Sequence, residues 1–216
     1  AMLSTTIIIS LFLILGLSKT SLIPSKRQSL VEISYEFIAN MINDNVGKDG
    51  MKYLSFVFTL FLFILLGNLL GMLPYSFTWT SHIIVTFTIS FFIFIGVTVI
   101  AIYKHGILKF LSFFAPSGVP KPMLILLIPI EVISYLSRPI SLSVRLFANM
   151  MAGHTLLKVI GGFVFVLASN SYIVGGILPL SFLVALTGLE IVIAFLQAYV
   201  FAILTCLYIN DAIHLH

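Results

Sequence analysis

Two apolar tracts near the C-terminal end constrain this chain more than any other feature. Met123 to Ala168 and Ile173 to Ile209 contain no polar loop. As α-helices of about 46 and about 37 residues they would measure about 69 Å and about 55 Å, against a hydrocarbon core of about 30 Å. Pro129, Pro139, Gly161, Gly162, Pro179 and Gly188 permit kinks. No hydrophilic linker, however, splits either tract into separate spans. The expectation is two long, strongly tilted, antiparallel helices joined by a turn near Ser169–Ser171.

Such tracts need lipid around them, and the composition agrees: 60% of the 216 residues are hydrophobic and 8% are charged. A soluble domain keeps roughly a quarter of its residues charged. The rest of the chain reads as a single all-α membrane domain. Residues 3–23 form a first span if Lys19 snorkels, and residues 51–73 and 82–103 form two strong ones. With the two long helices this makes about five membrane helices. Residues 24–45 differ. Ser25 to Gln28 fits a capping box, after which Leu30, Ser34, Phe37, Ile38 and Met41 fall on one face and Glu32, Glu36 and Asn43 on the other. That is the pattern of an amphipathic helix lying in the interface plane. Trp79, in the uncharged turn from Tyr75 to Ser81, reads as an interfacial residue.

Positive charge orients the chain. Lys19, Lys26, Arg27, Lys48 and Lys52 share one loop, and Lys104, Lys109 and Lys121 another. These loops face the cytoplasm or its equivalent, and the C-terminus belongs on their side. The net charge of +4 is spread over loops, with no basic tract for nucleic acid. The one cysteine, Cys206, forms no internal disulfide, no Cys/His cluster has metal spacing, and no Gly-rich phosphate loop is present. No cofactor is expected. His82 and His105 read as interfacial residues, His214 and His216 as a solvated tail, Lys158 as a side chain that snorkels or meets a partner and has no assigned role, and Gly67, Asn68 and Gly71 as helix packing.

Ionisable groups inside the long helices cost roughly 2.5–3.5 kcal/mol each at mid-membrane, so they are functional candidates. Glu131, Arg138 and Arg145 recur at spacing seven and share one stripe. Ser134, Ser141, Ala148 and Ala152 flank it and would let another helix approach closely. In the last helix Glu190, Gln197 and Asp211 form a second stripe, with Leu204 between. Folding the helices antiparallel at a constant sum of positions pairs Arg145 with Gln197 and Glu131 with Asp211, and very nearly His154 with Glu190. His154 sits nine residues from Arg145, half a turn round an ideal helix, so the two face differently. Glu131 and Arg138 also suit a simple ion pair, and Asp211 near a helix end suits solvation.

These residues also carry a resemblance. The run Ser141-Leu-Ser-Val-Arg145-Leu-Phe-Ala-Asn149-Met-Met-Ala-Gly153-His154 resembles the penultimate helix of ATP synthase subunit a. The run from Leu189-Glu190 through Gln197 to Thr205 resembles its last helix. Tyr103-Lys-His-Gly106 and Asn68-Leu-Leu-Gly-Met-Leu-Pro74 are similar to other parts of that family, from about residue 25 onward. His154 with Glu190 is similar to the mitochondrial arrangement, bacterial members commonly holding the two types the other way round. The resemblance implies the stator half of a rotary proton channel in the mitochondrial inner membrane. Its partners would be a ring of c subunits with membrane carboxylates, peripheral-stalk subunits and other membrane subunits. Arg145 would separate two half-channels, with His154, Glu190, Gln197, Asn149, Glu131, Asp211 and Arg138 along the proton path. The N-terminus is not an Arg-rich, Ser-rich transit sequence, so a mitochondrial chain of this kind is expected to be made inside the organelle. A proton-coupled secondary transporter and a structural subunit of a respiratory complex are the other classes. The first would more often show repeated halves; the second needs no aligned ionisable stripes.

Overall fold

The structure, a computed structural model, describes residues 2–17, 24–72, 78–107, 110, 121–169 and 173–213. In chain order these form α1 (Met2–Leu17), α2 (Lys26–Asn45), a 3-10 segment (Lys48–Tyr53) leading into α3 (Leu54–Gly71), a short 3-10 turn (Trp79–Ser81), α4 (Ile83–His105), α5 (Lys121–Ser169) and α6 (Ile173–Ile213). No strand occurs among the described residues. Residues 170–172 of the expected interhelical turn, residues 111–120 before α5, and His214 and His216 lie outside them.

Both long helices are continuous. α5 has 49 residues and α6 has 41, lengths of about 74 Å and about 62 Å. A rod of that length stays within the membrane only if it lies steeply tilted. Pro129 and Pro139 fall within α5 and Pro179 within α6 without ending either helix. The Lys48–Gly71 stretch, α4, α5 and α6 are each long and apolar enough to cross a membrane. α1 has 16 described residues, about 24 Å, and residues 18–23 of the expected first span lie outside the described residues.

The largest interface is α5 against α6; α4 packs on both, and α3 packs on α6. Small residues make the close approach possible. Ala194, Ala198 and Ala202 recur every turn of α6 and are wholly buried, as are Leu142, Leu146 and Met150 on α5. α2 lies across α3 and α6, where Phe37 meets Phe61, Phe195 and Tyr199 with ring centroids 5.7–6.3 Å apart.

Local details correct one expectation and sharpen two others. The buried face of α2 is Gln28, Val31, Ile38, Met41 and Ile42, while Leu30 points outward. Gly16 of α1 sits directly against Val31 and draws that position inward. The Ser25 hydroxyl accepts from the Gln28 backbone N–H, as a capping box requires, but the Gln28 amide also donates to Glu32 at 2.7 Å. Trp79 is packed inside the protein rather than turned outward: it is 2% exposed, its ring 4.8 Å from that of Phe63 and pressed on Gly67. A side chain at Gly67 would occupy the indole's place, which is the packing role expected there.

Candidate functional site

The α5–α6 interface carries three polar levels. At the first, His154 Nδ1 stands 3.9 Å from Glu190 Oε1. Gly153, without a side chain, lets the carboxylate lie against α5. On its other side His154 Nε2 is 3.0 Å from the Thr78 hydroxyl, and that hydroxyl donates to the Gly71 carbonyl at 3.1 Å. A hydroxyl has one proton. With it committed to Gly71, Thr78 accepts from His154 Nε2–H, leaving Nδ1 to face Glu190. The imidazole and carboxylate can therefore hold one proton between them, on either partner. At 3.9 Å they are too far apart for a hydrogen bond, and transfer requires closing by about 1 Å. Glu190 is 5% exposed, and neither of its oxygens has a hydrogen bond. A cavity of about 210 Å³ adjoins the pair, walled by Leu156, Leu157, Leu186 and Leu189, with Asn149 and Glu190 its polar contributions.

At the second level Asn149 Nδ2 donates to Gln197 Oε1 at 2.8 Å. Gln197 Nε2 is buried and unpartnered. On the neighbouring side of α6, Asn68 of α3 is fully buried and donates to the Ala194 carbonyl at 3.4 Å.

At the third level Arg138 donates to Asp211 Oδ2 at 2.9 Å. The guanidinium stands 5.3 Å from the Tyr135 ring centre and 5.1 Å from that of Tyr208. The Tyr135 hydroxyl in turn bonds Thr98 of α4 at 2.7 Å. Arg138 is thus held by two aromatic faces and an acid, an arrangement suited to a planar guanidinium.

This overturns two expected pairings. Asp211 meets Arg138 rather than Glu131, and Gln197 meets Asn149 rather than Arg145. Glu131 is half-buried and forms no ion pair among the described residues. His154 and Glu190 do adjoin. Arg145 stands apart: it is exposed on the surface of α5 and makes no hydrogen bond or ion pair with any described residue. By the register of the Asn149–Gln197 contact it is level with Phe201, about 16 Å along α6 from both Glu190 and Asp211. Lys158 is also exposed without an ion pair among the described residues. His105 bonds the Ile213 carbonyl at 3.0 Å and so ties the ends of α4 and α6 together.

Thr78, Tyr135, Tyr208 and Thr98 were not foreseen as parts of these clusters. Thr78 lies in a turn far from α5 in sequence, and its close packing on Gly71 helps seat it beside His154. The two tyrosines carried a usable signal: Tyr135 is three residues before Arg138, and Tyr208 three before Asp211, each one turn away on the same face.

A bundle of membrane helices with a proton-sharing acid–base pair, a second charged cluster and an uncompensated arginine between them defines a membrane protein of the ion-translocating class. The chain belongs to the ATP synthase A chain family, whose profile matches residues 1–210. It is 60% identical over 215 residues to ATP synthase subunit a of Pelagibacter ubique, covering 100% of this chain and 86% of that protein. The subunit a of Allorhizobium ampelinum is 58% identical over 205 residues, 94% of this chain and 82% of the relative. That of Rhodospirillum rubrum is 58% identical over 199 residues, 92% and 80%. These relatives are bacterial and give no support to a mitochondrial address. Nor do they favour the secondary-transporter or structural-subunit class.

Proposed function

We propose that this chain is the proton-translocating stator subunit in the membrane sector of an ATP synthase, with two offset half-channels facing a ring of c subunits. The observation that carries this reading is Arg145, a charge exposed on the flank of α5 with no acid of its own. An unpaired arginine at mid-membrane costs roughly 2.5–3.5 kcal/mol. That cost is offset when a carboxylate from a neighbouring subunit passes it. The c-ring is the partner that would present such carboxylates, and peripheral-stalk and other membrane subunits complete the assembly.

Protons enter on the side of the His154–Glu190 pair and move past Asn149 and Gln197 to a rotor carboxylate. Neutralised, that carboxylate turns into lipid at low cost. Nearly one revolution later it meets the second half-channel, where Asp211 and Glu131, beside Arg138, line the proton's path outward. Arg145 holds the passing acid in its charged form between the two, because opposite charges attract strongly in a low dielectric. Arginine does not give up its own proton, so it blocks direct leakage. The driving energy is roughly 2.3 kcal/mol per proton per 100 mV. The chain itself binds no nucleotide in this scheme.

The address we propose is the mitochondrial inner membrane, supported by the order of His154 and Glu190, with the C-terminus on the matrix side. The support for that side is positive charge: Lys52 and Lys104 line one groove together with Ile213 near the C-terminus. Arg145→Ala tests the mechanism. ATP synthesis driven by an imposed proton gradient is expected to fall to background while the complex still assembles. Coupled turnover in the assembled variant would refute the assignment.

A further inference from the structure

Away from the proton path, a groove of about 510 Å³ opens where the Lys48–Tyr53 segment, the end of α4 and the end of α6 converge. Lys52 and Lys104 both line it, from segments about fifty residues apart in the chain. Neither ammonium has a salt-bridge partner among the described residues, and Asp49 at the rim pairs with neither. The groove therefore keeps an excess positive charge.

Its depth in the membrane follows from the elements around it. Lys52 directly precedes the apolar run of α3, and Lys104 lies in the last turn of α4. Tyr53 and Tyr103 stand beside them, as aromatic residues do at the headgroup level. The groove's other walls are apolar: Val99, Ile100 and Ile213. Val99 is exposed on the outer side of α4, so the groove continues into the acyl region. Basic pockets between membrane helices at this level suit lipid headgroups.

We infer that this groove binds an anionic phospholipid, its phosphate between Lys52 and Lys104 and its acyl chains along Val99 and Ile100. A soluble phosphate would use the lysines but not the apolar wall. A zwitterionic lipid would use the wall but gain little from the excess charge.

The test uses the whole ATP synthase in nanodiscs of phosphatidylcholine containing photoactivatable phosphatidylglycerol or, in parallel, photoactivatable phosphatidylcholine. Labelling of the peptides around Lys52 and Val99 is read by mass spectrometry. Phosphatidylglycerol is expected to label them well above phosphatidylcholine. Each lysine near the surface contributes about 1 kcal/mol, or about five-fold. K52Q/K104Q should thus lower the phosphatidylglycerol label by about 25-fold, and K52R/K104R should retain it. Should the double glutamine variant fail to assemble, the single variants are each expected to show the five-fold loss. Equal labelling by both lipids, or labelling unchanged by the glutamine variants, would overturn the proposal. So would loss of the phosphatidylglycerol label to excess inorganic phosphate, which would make the groove a site for a soluble anion.

Discussion

Gly153→Ala separates the chemistry of the first polar level from the stability of the helix that carries it. A Cβ at this position would overlap Glu190 Oε1 and stand 2.9 Å from its carboxyl carbon, where ordinary contact begins at 3.4 Å. The acid must therefore retreat by at least about 0.5 Å, and its oxygen by more. His154 is already 3.9 Å away, beyond hydrogen-bond range, so any retreat that widens this gap makes transfer rarer. A displacement near 1 Å at a reacting group costs up to about a hundredfold. The expected loss of gradient-driven ATP synthesis is thus about ten- to a hundredfold per assembled complex. Helix propensity moves the other way, since Ala in place of Gly favours a helix by about 1 kcal/mol. Gly161, on the same helix, has nothing within 4 Å of its would-be Cβ. Gly161→Ala supplies the same propensity change without the collision and should leave the rate unchanged. The assay is ATP synthesis in vesicles under an imposed proton gradient, normalised to assembled complex, with passive proton uptake as a second readout. Wild-type turnover in Gly153→Ala, or an equal fall in Gly161→Ala, would refute the reasoning.

Thr78→Val removes the hydroxyl that accepts from His154 Nε2–H and frees the ring to turn. The net worth of one such bond, about 0.5–1.5 kcal/mol, translates into a proton-uptake rate about two- to twelvefold lower, which Thr78→Ser should restore. Arg138→Lys keeps the charge facing Asp211 but loses the planar contact with Tyr135 and Tyr208. Two such contacts at about 0.5–1 kcal/mol each predict about 1–2 kcal/mol less stability, read as earlier thermal disassembly; an unchanged midpoint would mean the tyrosines do not clamp it. In a Cys206→Ser background, cysteines at positions 149 and 197 should cross-link through a short bifunctional reagent, and better than cysteines at 145 and 197. The reverse order would restore the register expected from sequence.

The membrane character, the two uninterrupted long helices and the stripes of ionisable residues were legible because each rests on local sequence. Hydropathy marks the spans, and spacing by seven marks a helix face. The adjacency of His154 and Glu190 also came from sequence, through a constant-sum pairing of two antiparallel rods. That construction failed lower down. The observed pairs drift, so that Asn149 takes Gln197 and Arg138 takes Asp211. A constant sum assumes parallel axes and side chains of equal reach. Packed helices cross at an angle, and an arginine reaches further along its neighbour than a glutamate does. Thr78 was out of reach for a different reason. Its role arises from the turn after α3 folding back on α5, which no periodicity within the last two helices encodes, whereas Asn68 packs α3 on α6 as its sequence context led one to expect.

The proposed mechanism also needs a reason why protons must leave the chain to cross, and the α5–α6 seam supplies one. Asn149–Gln197 and Arg138–Asp211 are separated by fourteen residues along α6, about 21 Å. Between them the same stripe of α6 carries Phe201, Leu204 and Thr205. Phe201 is wholly buried, and the Thr205 hydroxyl is committed to the Phe201 carbonyl. Facing them, Leu142 and Leu146 are buried, and the Ser143 hydroxyl is committed to the Ile140 carbonyl. Hydroxyls satisfied by their own helix offer no ladder for proton hopping, and the aliphatic side chains leave no polar surface for water. The seam is therefore apolar at the level where Arg145 stands, and Arg145 itself faces outward. In the proposed mechanism a proton delivered to the first cluster reaches the second only on a carrier that passes along the outer flank of α5. Two polar clusters on one interface, separated by an apolar seam and overlooked by an unpaired cation, fit the proposed stator role, in which the moving acid belongs to another subunit.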